Sequence, residues 1–236
     1  MIIIKYCIYF ILVLSFVFYY QNKDKPKYYL LDNYDEIFIF LENDKKIYGI
    51  KEPSLSEDLV IDVFCYLTIN NAMLEVGYYN HMIYSTVLKS YQIDDGRLIL
   101  NVSDDFNRCK NKYLLYRQLY FSYLFLGCDS LVIKTSNDEY IIDDLVVNYH
   151  SGKGENLYTI FYFLDNSLIY PLSYYTDLDY QEFLVSKLSD ISFDISYKTN
   201  ELEIINDEIV IVNSEERELL EQTIYYTIYM SQLLKV

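Results

Sequence analysis

Short runs of apolar and alternating residues predict strands in the first half of the chain. EIFIFL at 36–41 is rich in β-branched and aromatic residues, and after the polar turn NDKK the run IYGI at 47–50 is placed to pair back on it. Farther along, Asp95-Gly96 is the pair that a two-residue type I′ turn prefers, and the segments on both sides alternate. A two-residue loop there places Asp94 opposite Arg97, so the pattern predicts two hairpins.

Helical spacing follows each of these hairpins. Leu59 and Val63 begin an apolar stripe that recurs every four residues, which predicts a helix with one core face. Ser54 and Glu57 have the spacing of a capping box, so we expect this helix to begin there. A second, strongly apolar helix is predicted over 112–127, where a glycine ends it.

The second half of the chain repeats the first. IINDEIVIVNSEE at 204–216 aligns without a gap on IDDGRLILNVSDD at 93–105. LLEQTIYYTIYM at 219–230 then matches LLYRQLYFSYLF at 114–125, and LYTIFYFLDNSLIYPL at 157–172 echoes the first two strands. The period is too long for a solenoid, so the pattern indicates two copies of one α+β unit.

Two details of the repeat bear on packing. Ser122 and Thr227 fall at the same helical position, where a small residue lets the helix approach the sheet. The second copy stops at LLKV, where the first copy has the strand SLVIKT at 130–135. We therefore expect the final strand of the second copy to be short, missing or supplied by a partner, and a missing strand would leave an open sheet edge.

The fold class predicted from these elements is α+β. It consists of two tandem small domains, each a mixed or antiparallel sheet with two helices packed on one face, after an N-terminal transmembrane helix. The expected ranges are a transmembrane signal anchor at 1–20, a linker at 21–34, domain 1 at 35–142, a linker at 143–156, and domain 2 at 157–236.

The N-terminal segment has the length of a membrane span. Residues 2–20 are apolar apart from Lys5, and a helix of this length reaches about 28 Å, just enough for a bilayer core. No small-x-small cleavage site follows, which favours an uncleaved signal anchor over a removed signal peptide, with a buried core helix as the alternative. Three lysines after the segment would, by the positive-inside rule, place the bulk of the chain inside.

Composition excludes some partners. The 35 acidic residues outnumber the 19 basic ones and give a net charge of −16, which argues against nucleic acid and against docking on anionic lipid. No two cysteines form a C-x-x-C pair, and neither histidine has a local nucleophile motif, so a structural zinc site is disfavoured and free thiols are expected. These residues are Cys7, Cys65, Cys109, Cys128, His81 and His150.

Two acidic pairs ten residues apart are the candidate metal ligands. Asp94-Asp95 and Asp104-Asp105 lack the spacing of an EF-hand loop. The first pair fits the tip of a hairpin and the second fits a helix entry, where the helix dipole favours acids. We therefore assign no catalytic, cofactor-binding or metal residues, and expect no cofactor.

The order of these elements resembles the GerM (sporulation and spore germination) domain family, in tandem. The resemblance rests on EIFIFL and IYGI, the helix SEDLVIDVFCYL, the hairpin YQIDDGRLILNVSDDF with Ser103 and Phe106, the helix LLYRQLYFSYLF and the strand SLVIK. It covers about residues 36–140 and 157–236. Two features depart from the family pattern: MIYSTVLK replaces a Pro-Gly-type turn, and Ser214 has no Phe after it.

The resemblance implies a small α+β fold related to ring-building modules, without catalytic residues. Such proteins are anchored or lipidated, face outside the cytoplasm and act through protein–protein contacts. It therefore implies a single-pass protein of the bacterial cell membrane, with most of the chain outside, that assembles with envelope or sporulation-complex proteins or with further copies of itself. The positive-inside rule, applied to the three lysines after the apolar segment, predicts the opposite orientation, with most of the chain inside.

Two other functions remain open at this point. One is a two-lobed extracytoplasmic ligand-binding protein with its site between the copies. The other is an envelope glycan hydrolase, which would need a cleft with two carboxylates about 5 to 9.5 Å apart.

Overall fold

The structure, a computed structural model, covers the two repeated units. It describes residues 35–143, 150–189, 201–205, 208–213 and 217–233. The predicted anchor at 1–20 and linker at 21–34 lie outside the described residues. Within the described ranges, none of the helices has the length and apolar character that crossing a bilayer requires.

The elements follow the predicted order and confirm the α+β class. The first unit contains β1 (Glu36–Asn43), β2 (Lys46–Pro53), α1 (Leu59–Leu67), β3 (Leu88–Asp94), β4 (Arg97–Val102), α2 (Lys112–Leu124), β5 (Ser130–Lys134) and β6 (Glu139–Ile142), with 3₁₀ turns at Asn71–Met73 and Asp104–Arg108. The second contains β7 (His150–Gly152), β8 (Asn156–Phe163), β9 (Leu168–Thr176), α3 (Tyr180–Leu188), β10 (Glu201–Ile205), β11 (Glu208–Asn213) and α4 (Arg217–Leu233).

One sheet is shared by both units. β1 pairs with β2, and β8 pairs with β9, as antiparallel hairpins. The hairpins join because Gly49 and Ile50 of β2 pair with Ile169 and Leu168 of β9. We expected a separate sheet in each unit; the hairpins instead lie edge to edge, which satisfies backbone groups that each would otherwise expose. The short strand β7 falls within the segment predicted as a linker and runs parallel to β9.

The remaining strands form one sheet in each unit. In the first unit the order is β3-β4-β5-β6, with β5 parallel to β4. The predicted hairpin is confirmed in its register, since Asp94 pairs with Arg97. It is also confirmed in its turn, because Asp95 and Gly96 both have positive φ, at 47° and 80°, as a type I′ turn requires. In the second unit β10 pairs with β11.

Helices α2 and α4 cover the two outer edges of the shared sheet. The amide N–H of Phe40 in β1 donates to Ser122 Oγ over 2.9 Å, and that of Phe161 in β8 donates to Thr227 Oγ1 over 3.0 Å. Both hydroxyls are fully buried. The equivalent position of Ser122 and Thr227, predicted from the repeat, is therefore confirmed. Each hydroxyl accepts the hydrogen bond that a carbonyl group of a further strand would otherwise accept.

One turn earlier, each helix protects the same strand edge, but the two units do so through different groups. In the second unit, Thr223 Oγ1 accepts the N–H of Phe163 over 3.0 Å. In the first unit the aligned helix residue is Gln118, whose side-chain amide donates to the carbonyl of Tyr79 over 2.7 Å. Tyr79 in turn exchanges two backbone hydrogen bonds with Glu42 of β1. The longer α1–β3 connection of the first unit thus performs the task that a threonine performs in the second.

Aromatic rings fill the seam between the units. The ring of Phe125, which follows α2, has its centroid 5.2 Å from those of Phe38 and Phe40 in β1 and 5.3 Å from that of Phe161 in β8. It also stacks on Tyr226 of α4 at 6.0 Å. One side chain therefore contacts both hairpins of the shared sheet and the helix of the other unit.

The first helix begins later than the capping-box pattern predicted. It starts at Leu59, and the side chain of Asp58 caps it by accepting the N–H of Ile61. Asp62 is buried and accepts hydrogen bonds from the N–H groups of Leu55 and Ser56 and from the Ser56 hydroxyl. These bonds hold the preceding residues in a loop, and the prediction of a start at Ser54 was wrong for this reason.

Substituting Gly49 with alanine will lower the free energy of unfolding by about 1–3 kcal/mol. A Cβ atom at position 49 would lie 2.6 Å from Cζ of Phe40. The Phe40 ring has no room to yield, because it is fully buried with its centroid 5.5 Å from that of Phe121 and 5.2 Å from that of Phe125. Urea unfolding followed by circular dichroism measures the effect.

A double-mutant cycle provides the control for this prediction. Phe40→Leu removes the ring that the new methyl group meets, so the Gly49→Ala step should cost less in that background than in the wild-type chain. Equal costs in the two backgrounds would show that the Phe40 ring is not what requires a glycine at position 49.

Candidate functional site: an interaction surface

The first acidic pair lies at the exposed tip of the β3–β4 hairpin. Asp94 pairs with Arg97 across the strands, and Asp95 is the first residue of the turn. In the ranges that the structure describes, no group of three or more histidine, cysteine or carboxylate side chains could hold a metal ion. The geometry of the hairpin places the pair in its turn, as the sequence pattern predicted.

The second acidic pair is occupied by local hydrogen bonds. Asp104 accepts the N–H of Ser136 over 2.9 Å, and Asp105 accepts a guanidinium N–H of Arg108 over 3.0 Å. The bond from Ser136 holds the pKa of Asp104 below its ordinary value, and the bond from Arg108 does the same for Asp105. Both carboxylates stay ionised. Asp104 binds the turn between β5 and β6 to the 3₁₀ turn Asp104–Arg108, and the bond between Asp105 and Arg108 lies within that 3₁₀ turn.

The cysteines that the structure describes are free thiols, as predicted. Cys65 is exposed, whereas Cys109 and Cys128 are buried. Burial raises the pKa of the Cys109 thiol and raises that of Cys128 to about 12. A buried thiol that stays protonated is a poor nucleophile, so neither fits a catalytic role. Cys7 lies outside the described residues.

His81 is half-buried in the segment between α1 and β3. Its backbone N–H donates to the side chain of Gln118, and its Nε2 lies 3.5 Å from a carboxylate oxygen of Glu42. Burial lowers the pKa of His81, against the opposing influence of Glu42. His150 lies in β7.

The α1–β3 loop, residues 68–87, presents large apolar side chains to solvent. Val76 is 98% exposed and Met73 is 80% exposed. The same loop is fixed to the fold, because Asn71 exchanges two hydrogen bonds with the backbone of Asn80 and Asn80 binds the carbonyl of Tyr66 in α1. Rigidly held, exposed apolar side chains are typical of contact surfaces. The sequence did not indicate this loop as a site.

The second candidate surface is strand β11. It aligns with β4, whose Leu98 and Leu100 are fully buried in a sheet that continues to β5 and β6. In the described part of the second unit, β11 pairs with β10 alone, and the aligned Ile209 and Ile211 are only half-buried. Val212 is 47% exposed. Whether a final strand is short, missing or supplied by a partner stays a prediction.

A comparison with solved structures decides the fold. The chain is similar to the "Tandem GerMN domains of the sporulation protein GerM from Bacillus subtilis", with a TM-score of 0.60 and 13% sequence identity over 82% of this chain and 86% of that chain. The chain has the tandem GerMN fold. No protein-family model matches its sequence, and no curated protein matches it.

The tandem GerMN fold confirms the family resemblance at the level of structure. Both units carry the hairpin–helix–hairpin–helix order on which the resemblance rested. Sequence reasoning missed the sheet that joins the two units and the exposed apolar loop. Gly49, a glycine inside a strand, did mark a close approach, but the group that approaches it is the Phe40 ring of its own hairpin.

Proposed function

We propose that this chain is a non-enzymatic, membrane-anchored extracytoplasmic protein that mediates protein–protein assembly in sporulation, spore germination or envelope organisation. The observation that carries the proposal is the tandem GerMN fold, shared with a sporulation protein over most of both chains. The apolar residues 2–20 would supply the anchor, and the chain would lie in the bacterial cell membrane with both units outside the cytoplasm.

The seam between the units favours assembly over the two other functions considered. A two-lobed ligand-binding protein needs a concave site there, and a glycan hydrolase needs carboxylates facing each other across a cleft. At this seam the rings of Phe125, Phe161 and Tyr226 pack together. Binding would instead use the α1–β3 loop and the edge of β11.

Strand addition is the mode of contact that β11 fits. In the first unit, the aligned strand β4 accepts β5, whose sequence SLVIK is apolar at its centre, as a parallel neighbour. A partner segment of the same character would bury Val212 and Ile211 and hydrogen-bond along the strand. The partners would be envelope or sporulation-complex proteins, or a further copy of this chain.

A surface crosslinking experiment tests the proposal. A membrane-impermeant crosslinker is added to intact protoplasts of sporulating cells, and the proteins attached to the tagged full chain are identified. Val212→Lys should reduce the recovered partner roughly tenfold, because lysine on a strand edge opposes pairing. Leu178→Lys is the matched control, since Leu178 is 39% exposed in the loop before α3 and the substitution adds the same charge.

Three results would contradict the proposal. If the crosslinker does not react with the chain, the two units lie on the cytoplasmic side of the membrane and not outside it. Recovery of no envelope or sporulation-complex protein and no second copy would remove the assembly role. Equal recovery with Val212→Lys and Leu178→Lys would remove the β11 edge as the contact.

A further inference from the structure

A pocket of about 380 Å³ lies at one end of the first unit. Three segments line it: the residues that follow α1, the second half of the α1–β3 loop, and residues 108–111 before α2. This volume is within the range of sites for small molecules. The pocket is separate from the seam between the units and from strand β11.

The walls of the pocket are fixed by hydrogen bonds. The side-chain amide of Asn80 binds the carbonyls of Tyr66 and Leu67, and its oxygen accepts the N–H of Met82. Asn71 binds both backbone groups of Asn80, and Asn111 caps α2 by accepting the N–H of Leu114. These side-chain amides are used by the fold, so they do not form a neutral hydrogen-bonding site for a sugar.

The charged residues of the pocket are all basic. In a chain with 35 acidic and 19 basic residues, none of the lining residues is an aspartate or glutamate, whereas Arg108 and Lys110 both line the pocket. Within the described part of the chain, Lys110 has no carboxylate within ion-pair distance, and Arg108 uses only Nη1 to hold Asp105. Both cations therefore have N–H groups left to donate.

Two further features favour a negative ligand with an apolar part. Helix α2 begins at Lys112, beside the pocket, and its first amide N–H groups carry the positive end of the helix dipole. Met82 and Ile83 provide apolar wall, and the exposed ring of Tyr84 lies at the rim. Burial lowers the pKa of His81, the other basic lining residue, so the positive charge comes from Arg108 and Lys110.

We propose that this pocket binds an organic oxyanion, a phosphate or carboxylate group on a small apolar or cyclic body, through Arg108 and Lys110. Arginine and lysine form charge-assisted hydrogen bonds with both groups, and the guanidinium adds a bidentate geometry. The same chemistry fits a free metabolite and the headgroup of an anionic lipid. This binding role is additional to assembly and does not depend on it.

Titration calorimetry on the full chain tests the site with named probes. The probes are inorganic phosphate, citrate, and vesicles of phosphatidylglycerol in phosphatidylcholine, with sucrose as the neutral comparison. We expect one site for phosphate or citrate, weakening with added salt. Lys110→Gln and Arg108→Gln should each weaken binding roughly tenfold, because each removes a charge-assisted hydrogen bond. Lys153→Gln, an exposed lysine outside the pocket, removes the same charge and should leave binding unchanged.

The outcomes separate the ligand sources and can overturn the proposal. If the phosphatidylglycerol vesicles bind and phosphate and citrate do not, and if Lys110→Gln abolishes this binding while Lys153→Gln keeps it, the site is supported and its ligand is a lipid headgroup. Lack of binding by every probe, equal binding of sucrose, or the same loss in all three variants would refute it. Arg108 and Lys110 lie outside β11, so failure of the binding test would leave the crosslinking test of the assembly role unaffected.

Discussion

Phe125→Ala will lower the free energy of unfolding by about 3–5 kcal/mol, the range for removing a fully buried aromatic side chain. Phe125 is 1% exposed and its ring contacts Phe40 in the first unit and Phe161 and Tyr226 in the second. A cavity there removes packing from both hairpins of the shared sheet. Urea unfolding gives the loss, and amide hydrogen exchange of β1 and β8 should accelerate in both strands.

An exposed ring provides the control for that substitution. Tyr225 is adjacent to Tyr226 in α4 and faces solvent, so Tyr225→Ala should change the free energy of unfolding by less than about 0.5 kcal/mol. Faster exchange in β1 alone, with β8 unchanged in Phe125→Ala, would mean that the two units do not share the core that the ring contacts indicate.

The double substitution Thr223→Val with Thr227→Val will lower the free energy of unfolding of the second unit by about 2–6 kcal/mol. Each substitution leaves one buried N–H without its acceptor, and each such loss costs about 1–3 kcal/mol. The hydroxyls accept the amides of Phe163 and Phe161 at 3.0 Å each. Valine has nearly the shape of threonine, so the change isolates the lost hydrogen bonds. Urea unfolding gives the total, and hydrogen exchange of these two amides locates it.

Serine at the same positions is the matched control. Thr223→Ser with Thr227→Ser keeps both hydroxyls, and the first unit already uses a serine, Ser122, for the equivalent bond. The serine variant should therefore retain slow exchange at Phe161 and Phe163. If the valine and serine variants exchange equally fast, the helix does not protect this edge through its hydroxyl groups.

Local chemistry made part of the fold predictable. The Asp95-Gly96 turn is predictable because type I′ geometry needs two residues that tolerate positive φ, and few sequences meet that requirement. Ser122 and Thr227 were recognised as equivalent because the helices align residue by residue, although the alignment indicated only close packing. That their hydroxyls bond to strand amides depends on which strand lies beside the helix, and a helix sequence does not contain that information.

Tertiary context decided the rest. The capping-box pattern at Ser54 was overridden because buried Asp62 binds the preceding loop and Asp58 caps the helix instead. The joined sheet involves two residue pairs between hairpins that each look complete, so alternation alone does not predict it. The exposure of Val76 and the basic pocket likewise depend on how an irregular loop is folded, which periodicity does not describe.

The pairing of β2 with β9 also sets the order in which the chain can mature during synthesis. Gly49 emerges from the ribosome roughly 120 residues before its partner Ile169, an interval of about 6–24 s at ordinary translation rates. Throughout that time the first hairpin has an edge without its neighbour. Phe125, once it has emerged, lacks its ring contacts with Phe161 and Tyr226 until those residues follow. The nascent first unit is therefore an incomplete folding intermediate, prone to pair with another chain, until the second hairpin reaches it.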